Sequence, residues 1–209
     1  MSTDTVTDTF AENGPRIRAA GAAALLGAAL MTFAVVQRAT EGFSNFGAAS
    51  EGVLFNVQQV VFRVENGLLV LSIACLFVGM LGLWVRQQWV TGWLWNAGIA
   101  ATGGGFILAL LSAVAQLVFV ESGSAAGGLV GIGFAFGNFL FFLGGLPLGV
   151  ALFRQADPAI LKLAGLALIG AGPSLSMAAM FYSLNTLLGA ALFVGPIATA
   201  WGLVGYYLV

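Results

Sequence analysis

Residues 163–209 read LAGLALIGAGPSLSMAAMFYSLNTLLGAALFVGPIATAWGLVGYYLV, 47 residues without one charged side chain. As a single helix this stretch would be about 70 Å long. That is more than twice the ~30 Å hydrocarbon thickness of a bilayer. The chain must therefore turn once within it. Polar side chains cluster at 182–186 (YSLNT), so the turn is expected there, between helices at about 160–181 and 187–208.

The same logic extends towards the N-terminus. The 144 residues from Asn66 to Val209 carry five charges: Arg86, Glu121, Arg154, Asp157 and Lys162. A water-soluble domain needs roughly 25% charged residues. This chain has 7%, with 60% hydrophobic residues and a mean hydropathy of +1.01. The gaps between charges predict spans at about 67–85, 93–120 and 128–153, and an apolar run at 17–36 supplies another. The chain reads as an all-α integral membrane protein, a bundle of six transmembrane helices formed by residues 16–209. Pro147, Pro173 and Pro196 fall inside spans, where neighbouring helices tolerate them. Residues 1–15 (MSTDTVTDTFAENGP) are polar and acidic and are expected to form a disordered tail. They lack the basic start and short apolar core of a signal peptide, so the first span reads as retained.

Orientation follows from the basic residues. With the N-terminus inside, Arg16, Arg18, Arg86, Arg154 and Lys162 face the cytoplasm, and Arg38 and Arg63 lie outside. The positive-inside rule then expects both termini on the cytoplasmic side of the cell membrane. Trp84, Trp89, Trp93 and Trp95 flank Arg86 and suit an inner interfacial belt. The odd helices open alike, with AGAAALLG from Ala20, AGIAATGG from Ala97 and AGLALIG from Ala164. Two even helices close alike, with LWVRQQ from Leu83 and ALFRQA from Ala151. Three helical hairpins would explain this, as would the chance recurrence of Ala, Gly and Leu.

Composition removes several functions. There is no histidine, hence no histidine-ligated haem or zinc and no Ser-His-Asp or Cys-His dyad. Cys75 is the one cysteine and lies in an apolar run, where it reads as packed and inert. The net charge of −1 and the lack of a basic patch exclude a nucleic-acid surface. No cofactor is expected. The partners expected are membrane lipids and a protein partner or second copy.

The long outer segment, about 37–66, is the most unusual. Read as a helix from Glu51, it places Val53, Val57, Val60, Val61 and Val64 on one arc. Asn56, Gln59, Arg63 and Asn66 fall on another face. Such an amphipathic helix lies on the outer surface or prolongs the second span. Its polar row is a candidate mouth, with Arg63 binding an anionic or carbonyl group and the amides adding hydrogen bonds. A solvated helix face is the more ordinary reading.

Within the spans no Asp, Glu, Lys or Arg lies at mid-membrane, which disfavours ion-coupled pumping. Gln116 and Asn138 are expected to bond between the third and fourth helices. Glycines spaced by four, such as Gly133 and Gly137, or Gly145 and Gly149, indicate close helix packing. The run Gly103 to Gly105 lacks the strand and the Lys–Ser/Thr of a phosphate loop. The phenylalanines of 134–145 (FAFGNFLFFLGG) read as a lipid-facing surface before a ligand lining.

Residues 145–172, GLPLGVALFRQADPAILKLAGLALIGAG, resemble an uncharacterised family of prokaryotic multi-spanning membrane proteins. Its pattern is a Pro-Leu-Gly helix end, a basic residue, a short proline-containing loop and an Ala/Leu-Gly helix start. Here these are Pro147, Leu148, Gly149, Arg154, Pro158, Leu163 and Gly165. RAAGAAALLGA from Arg18 and the long outer loop are also similar. Lys162 stands where members commonly show an arginine nearer the proline. The resemblance implies the helix arrangement and no activity.

With no catalytic pair or metal cluster, the expected function is non-enzymatic: an accessory subunit or an apolar-ligand-binding protein. The alternative is a passive transporter or channel for a small, weakly polar solute.

Overall fold

Six apolar runs become six helices. The structure is a computed structural model that describes residues 3–41, 52–87, 90–119, 125–181 and 187–209. The helices are α1 (Thr3–Glu41), α2 (Gly52–Arg86), α3 (Trp93–Phe119), α4 (Ala125–Gln155), α5 (Ala159–Phe181) and α6 (Leu187–Leu208). There is no strand among the described residues. Five helices are long and apolar enough to cross a membrane, over Gly14–Gln37, Gly67–Arg86, Trp93–Ala115, Ile132–Gln155 and Leu187–Leu208. In α5 the described apolar stretch is the shorter Ala159–Ser174.

The helix ends have local causes. Arg86 and Arg154 lie in the last turns of α2 and α4, where the helix dipole favours a cation. Gly92 has φ of 121°, a backbone region that suits glycine, and its carbonyl accepts the Asn96 N–H at 3.1 Å as α3 begins. Pro158 precedes α5, and its carbonyl accepts the amides of Leu161 and Lys162.

One boundary differs from expectation. α1 starts at Thr3, so residues 3–15, expected to belong to a disordered tail, are helical and continuous with the first span. A segment that short is marginal alone, but here it extends a helix whose nucleation cost is already met. The outer amphipathic segment, from Gly52, is one unbroken helix with the second span, which is one of the two arrangements expected of it.

Neighbours in sequence are neighbours in space. Each helix packs on the next, α1 packs on α6 to close the ring, and α2 also touches α6. Glycine sets the seams. Along the α3–α4 seam, Gly98 meets Leu148, Gly144 meets Thr102, Gly105 meets Phe141, Gly137 meets Ala109 and Gly133 meets Ser112. The α3 positions recur at alternating steps of four and three, the spacing of a coiled-coil stripe. The three glycines 103–105 divide their work: Gly105 meets α4, Gly103 faces the Met80 side chain of α2, and Gly104 has open space.

The α1–α2 seam follows the same rule. Gly79 lies on Ala24 and Gly82 on Ala20, while the buried Ser72 hydroxyl donates to the Gly27 carbonyl at 2.9 Å. The first glycines of two repeated strings play matching parts. Gly21 of α1 crosses Gly205 of α6, and Gly165 of α5 crosses Gly149 of α4. In each case an odd helix meets the even helix before it around the ring. Gly98, the third such glycine, instead meets its own hairpin partner α4, so the internal symmetry is incomplete.

Large side chains fill the middle. The Phe106 ring touches Phe77, Phe141 and Trp201, with centroids 6.4, 4.9 and 5.5 Å away. Phe142 continues the cluster to Phe193. The phenylalanines of α4 are therefore divided: Phe136 and Phe139 face outward, while Phe141 is buried. All six helices turn large apolar side chains outward, including Leu26, Leu81, Leu111, Phe139, Leu163 and Leu188.

Candidate functional site

The seam between α1 and α6 is tight at one end and open further along. At the tight end a β-carbon on Gly21 would lie 2.8 Å from the Gly205 carbonyl oxygen. Small residues at both positions let the two backbones touch. Beyond that crossing the seam opens into a groove of about 730 Å3, lined by Ala28, Ala29, Thr32, Phe33, Val36, Gln37 and Ala198. This lies within the roughly 300–1,000 Å3 typical of small-molecule sites.

Local sequence explains its shape. Ala28, Ala29 and Ala198 give a shallow floor, and the exposed Phe33 gives a side wall. Pro196 lies two residues before Ala198 inside α6, and removes one rung of the backbone ladder near this depth. Thr32 adds little polarity, because its hydroxyl donates to the Ala28 carbonyl at 2.8 Å. The polar end of the groove is Gln37, the last residue of the apolar α1 stretch. The site is thus an apolar trough with one polar end. It offers shape and apolar contact and presents no catalytic set.

A second polar cluster ties α2 to α6 at the opposite end. Arg86 donates to the carbonyls of Tyr207 and Leu208 at 2.7 and 3.2 Å. Its guanidinium carbon also stands 4.1 Å from the Tyr207 ring centroid. Gln87 is fully buried, and its amide donates to the Tyr207 hydroxyl at 2.9 Å. Three buried polar atoms have no partner among the described residues: Gln87 Oε1, Thr102 Oγ1 and Trp201 Nε1. Nearby, Trp93 is 75% exposed and Trp84 half exposed, as an interfacial belt requires, whereas Trp95 is 2% exposed and belongs to the core. Trp89 lies outside the described residues.

Asn56, Gln59, Arg63 and Asn66 fall on the N-terminal extension of α2, and their side chains lie outside the described residues, as does that of Gln116. The Asn138 amide donates to the Phe134 carbonyl of its own helix at 2.9 Å. Sequence reading missed the groove. Its residues are mostly small and apolar, and only the packing of distant helices brings Ala198 beside Ala28. The proline at 196 was the one available signal.

No family model, curated protein or solved structure matches this chain.

Proposed function

We propose that the chain is a multi-pass membrane protein that binds an apolar ligand and catalyses no reaction, with the α1–α6 groove as its binding site. The groove is the observation that carries this reading: an apolar trough of ligand size at the depth of an apolar span. Large apolar side chains on the outer face of every helix support a lipid environment, because a monomer in water rarely exposes such a surface. They extend to α5 through Leu163 and Leu166, which supports six crossings. Five basic residues on one side support cytoplasmic termini in a cell membrane.

Aromatic packing around Phe106 weighs for ligand holding over passive conduction, since rings occupy the bundle interior where a solute path would run. The test is native mass spectrometry of protein extracted gently from its own membrane. A stoichiometric apolar molecule supports the proposal. A bound protein without such a molecule replaces it with the accessory-subunit reading.

A further inference from the structure

We infer that the groove holds one acyl chain of an outer-leaflet phospholipid, with the polar end of the lipid beside Gln37. This rests on the apolar-ligand reading above and narrows it to one chemical class.

Depth is the first reason. Every α1 residue of the groove lies inside the apolar stretch Gly14–Gln37, so the hydrocarbon of the bilayer surrounds the opening. The order of polarity is the second. From Ala28 to Gln37 the helix rises about 14 Å. Along that length the described walls are alanine, valine and phenylalanine, and the Thr32 hydroxyl gives its proton to its own helix, which leaves only its oxygen as an acceptor. A ligand with several polar atoms along its middle would leave most of them without partners, at a cost of several-fold in affinity for each. A phospholipid avoids this, because its chain is apolar throughout and its ester and phosphate groups begin at one end.

The floor is the third reason. Ala28, Ala29 and Ala198 leave a shallow channel beside the Phe33 wall, with its floor at Ala29 and Ala198. A single hydrocarbon chain reaches that floor. The tight Gly21–Gly205 crossing closes the deep end, so the chain enters sideways from the leaflet.

The experiment uses the full chain in phosphatidylglycerol–phosphatidylethanolamine vesicles containing a trace of phospholipid with a diazirine halfway along one acyl chain. After illumination, labelled peptides are mapped by mass spectrometry. The expected result is several-fold more label on residues 28–37 and around Ala198 than on the outward faces at Leu111 and Phe139. Ala29→Phe and, separately, Ala198→Phe should each remove that excess while labelling at Leu111 persists and the extracted variant still elutes as one monodisperse peak on size exclusion. Equal labelling of all outward faces overturns the inference, as does excess label that survives both substitutions. Crosslinks between chains at Ala198 overturn it in favour of a second copy. If native spectrometry finds a stoichiometric apolar molecule that is not a phospholipid, while the photolabel shows no excess, the ligand-binding reading stands and this inference falls.

Discussion

Arg86 and Tyr207, 121 positions apart in sequence, are joined twice: the guanidinium lies 4.1 Å from the tyrosine ring centroid and donates to the Tyr207 carbonyl at 2.7 Å. The carbonyl is one of the last of α6 and lacks an intrahelical partner. A positive charge there also complements the helix dipole. One side chain thus closes α6 and fastens it to α2.

Arg86→Lys should destabilise the bundle and Arg86→Ala should do so more. Lysine keeps the charge but loses the planar stack and the fixed fork of donors. Removing both interactions should cost about 2–4 kcal/mol, combining a cation–π contact with hydrogen bonds to a charged donor. Thermal unfolding in detergent, followed by loss of the monodisperse peak on size exclusion, measures the order. Equal midpoints for all three proteins would disprove the fastening role.

Tyr207→Phe isolates the tyrosine hydroxyl. It keeps the ring beneath Arg86 but strands the buried amide nitrogen of Gln87, whose Oε1 already lacks a partner among the described residues. The expected loss is about 1–3 kcal/mol. Adding Gln87→Leu should recover part of it, and a double-mutant cycle of unfolding midpoints reads the coupling.

Two glycines should respond in opposite directions to alanine. At Gly165 a β-carbon would sit 2.5 Å from the Gly149 carbonyl oxygen and 2.9 Å from the Phe153 nitrogen, and both are backbone atoms that cannot yield. Gly165→Ala should therefore push α5 from α4 and cost about 1–3 kcal/mol. At Gly104 nothing among the described residues lies within 4 Å of that position. Gly104→Ala should leave the midpoint unchanged or raise it, because alanine favours helix by up to about 1 kcal/mol.

Thr102→Val should be tolerated although the residue is fully buried. Its hydroxyl has no partner among the described residues, so the swap removes a buried polar atom and keeps the branched shape. The midpoint should stay within about 1 kcal/mol of the parent or rise. A large drop would show that the hydroxyl has a bridging water.

Topology is open to chemical labelling. Cys75 lies within the span Gly67–Arg86 and should stay silent towards a membrane-impermeant maleimide. Asp157→Cys, in the exposed α4–α5 connection, should react only after right-side-out vesicles are permeabilised. Reaction before permeabilisation would invert the proposed orientation.

The sequence by itself determined most limits of the apolar helices, though not that α1 already starts at Thr3. Charge spacing and the length of a bilayer crossing placed the α2 end at Arg86, the α3 start at Trp93 and the α5 end at residue 181, because those limits are local; the turn expected at 182–186 lies outside the described residues. It also identified Gly133, Gly137 and Gly149 as packing positions, since only glycine lets two backbones meet. The pairing of those glycines was not legible. Whether Gly21 meets α2 or α6 depends on how six similar apolar cylinders close into a ring, and hydropathy is nearly the same on every side of each. Nor could it show that Phe141 points inward and Phe139 outward. The fates of Ala28 and Ala198 were the least legible. They are small apolar residues 170 positions apart, and only the tertiary contact of α1 with α6 turns them into the floor of one groove.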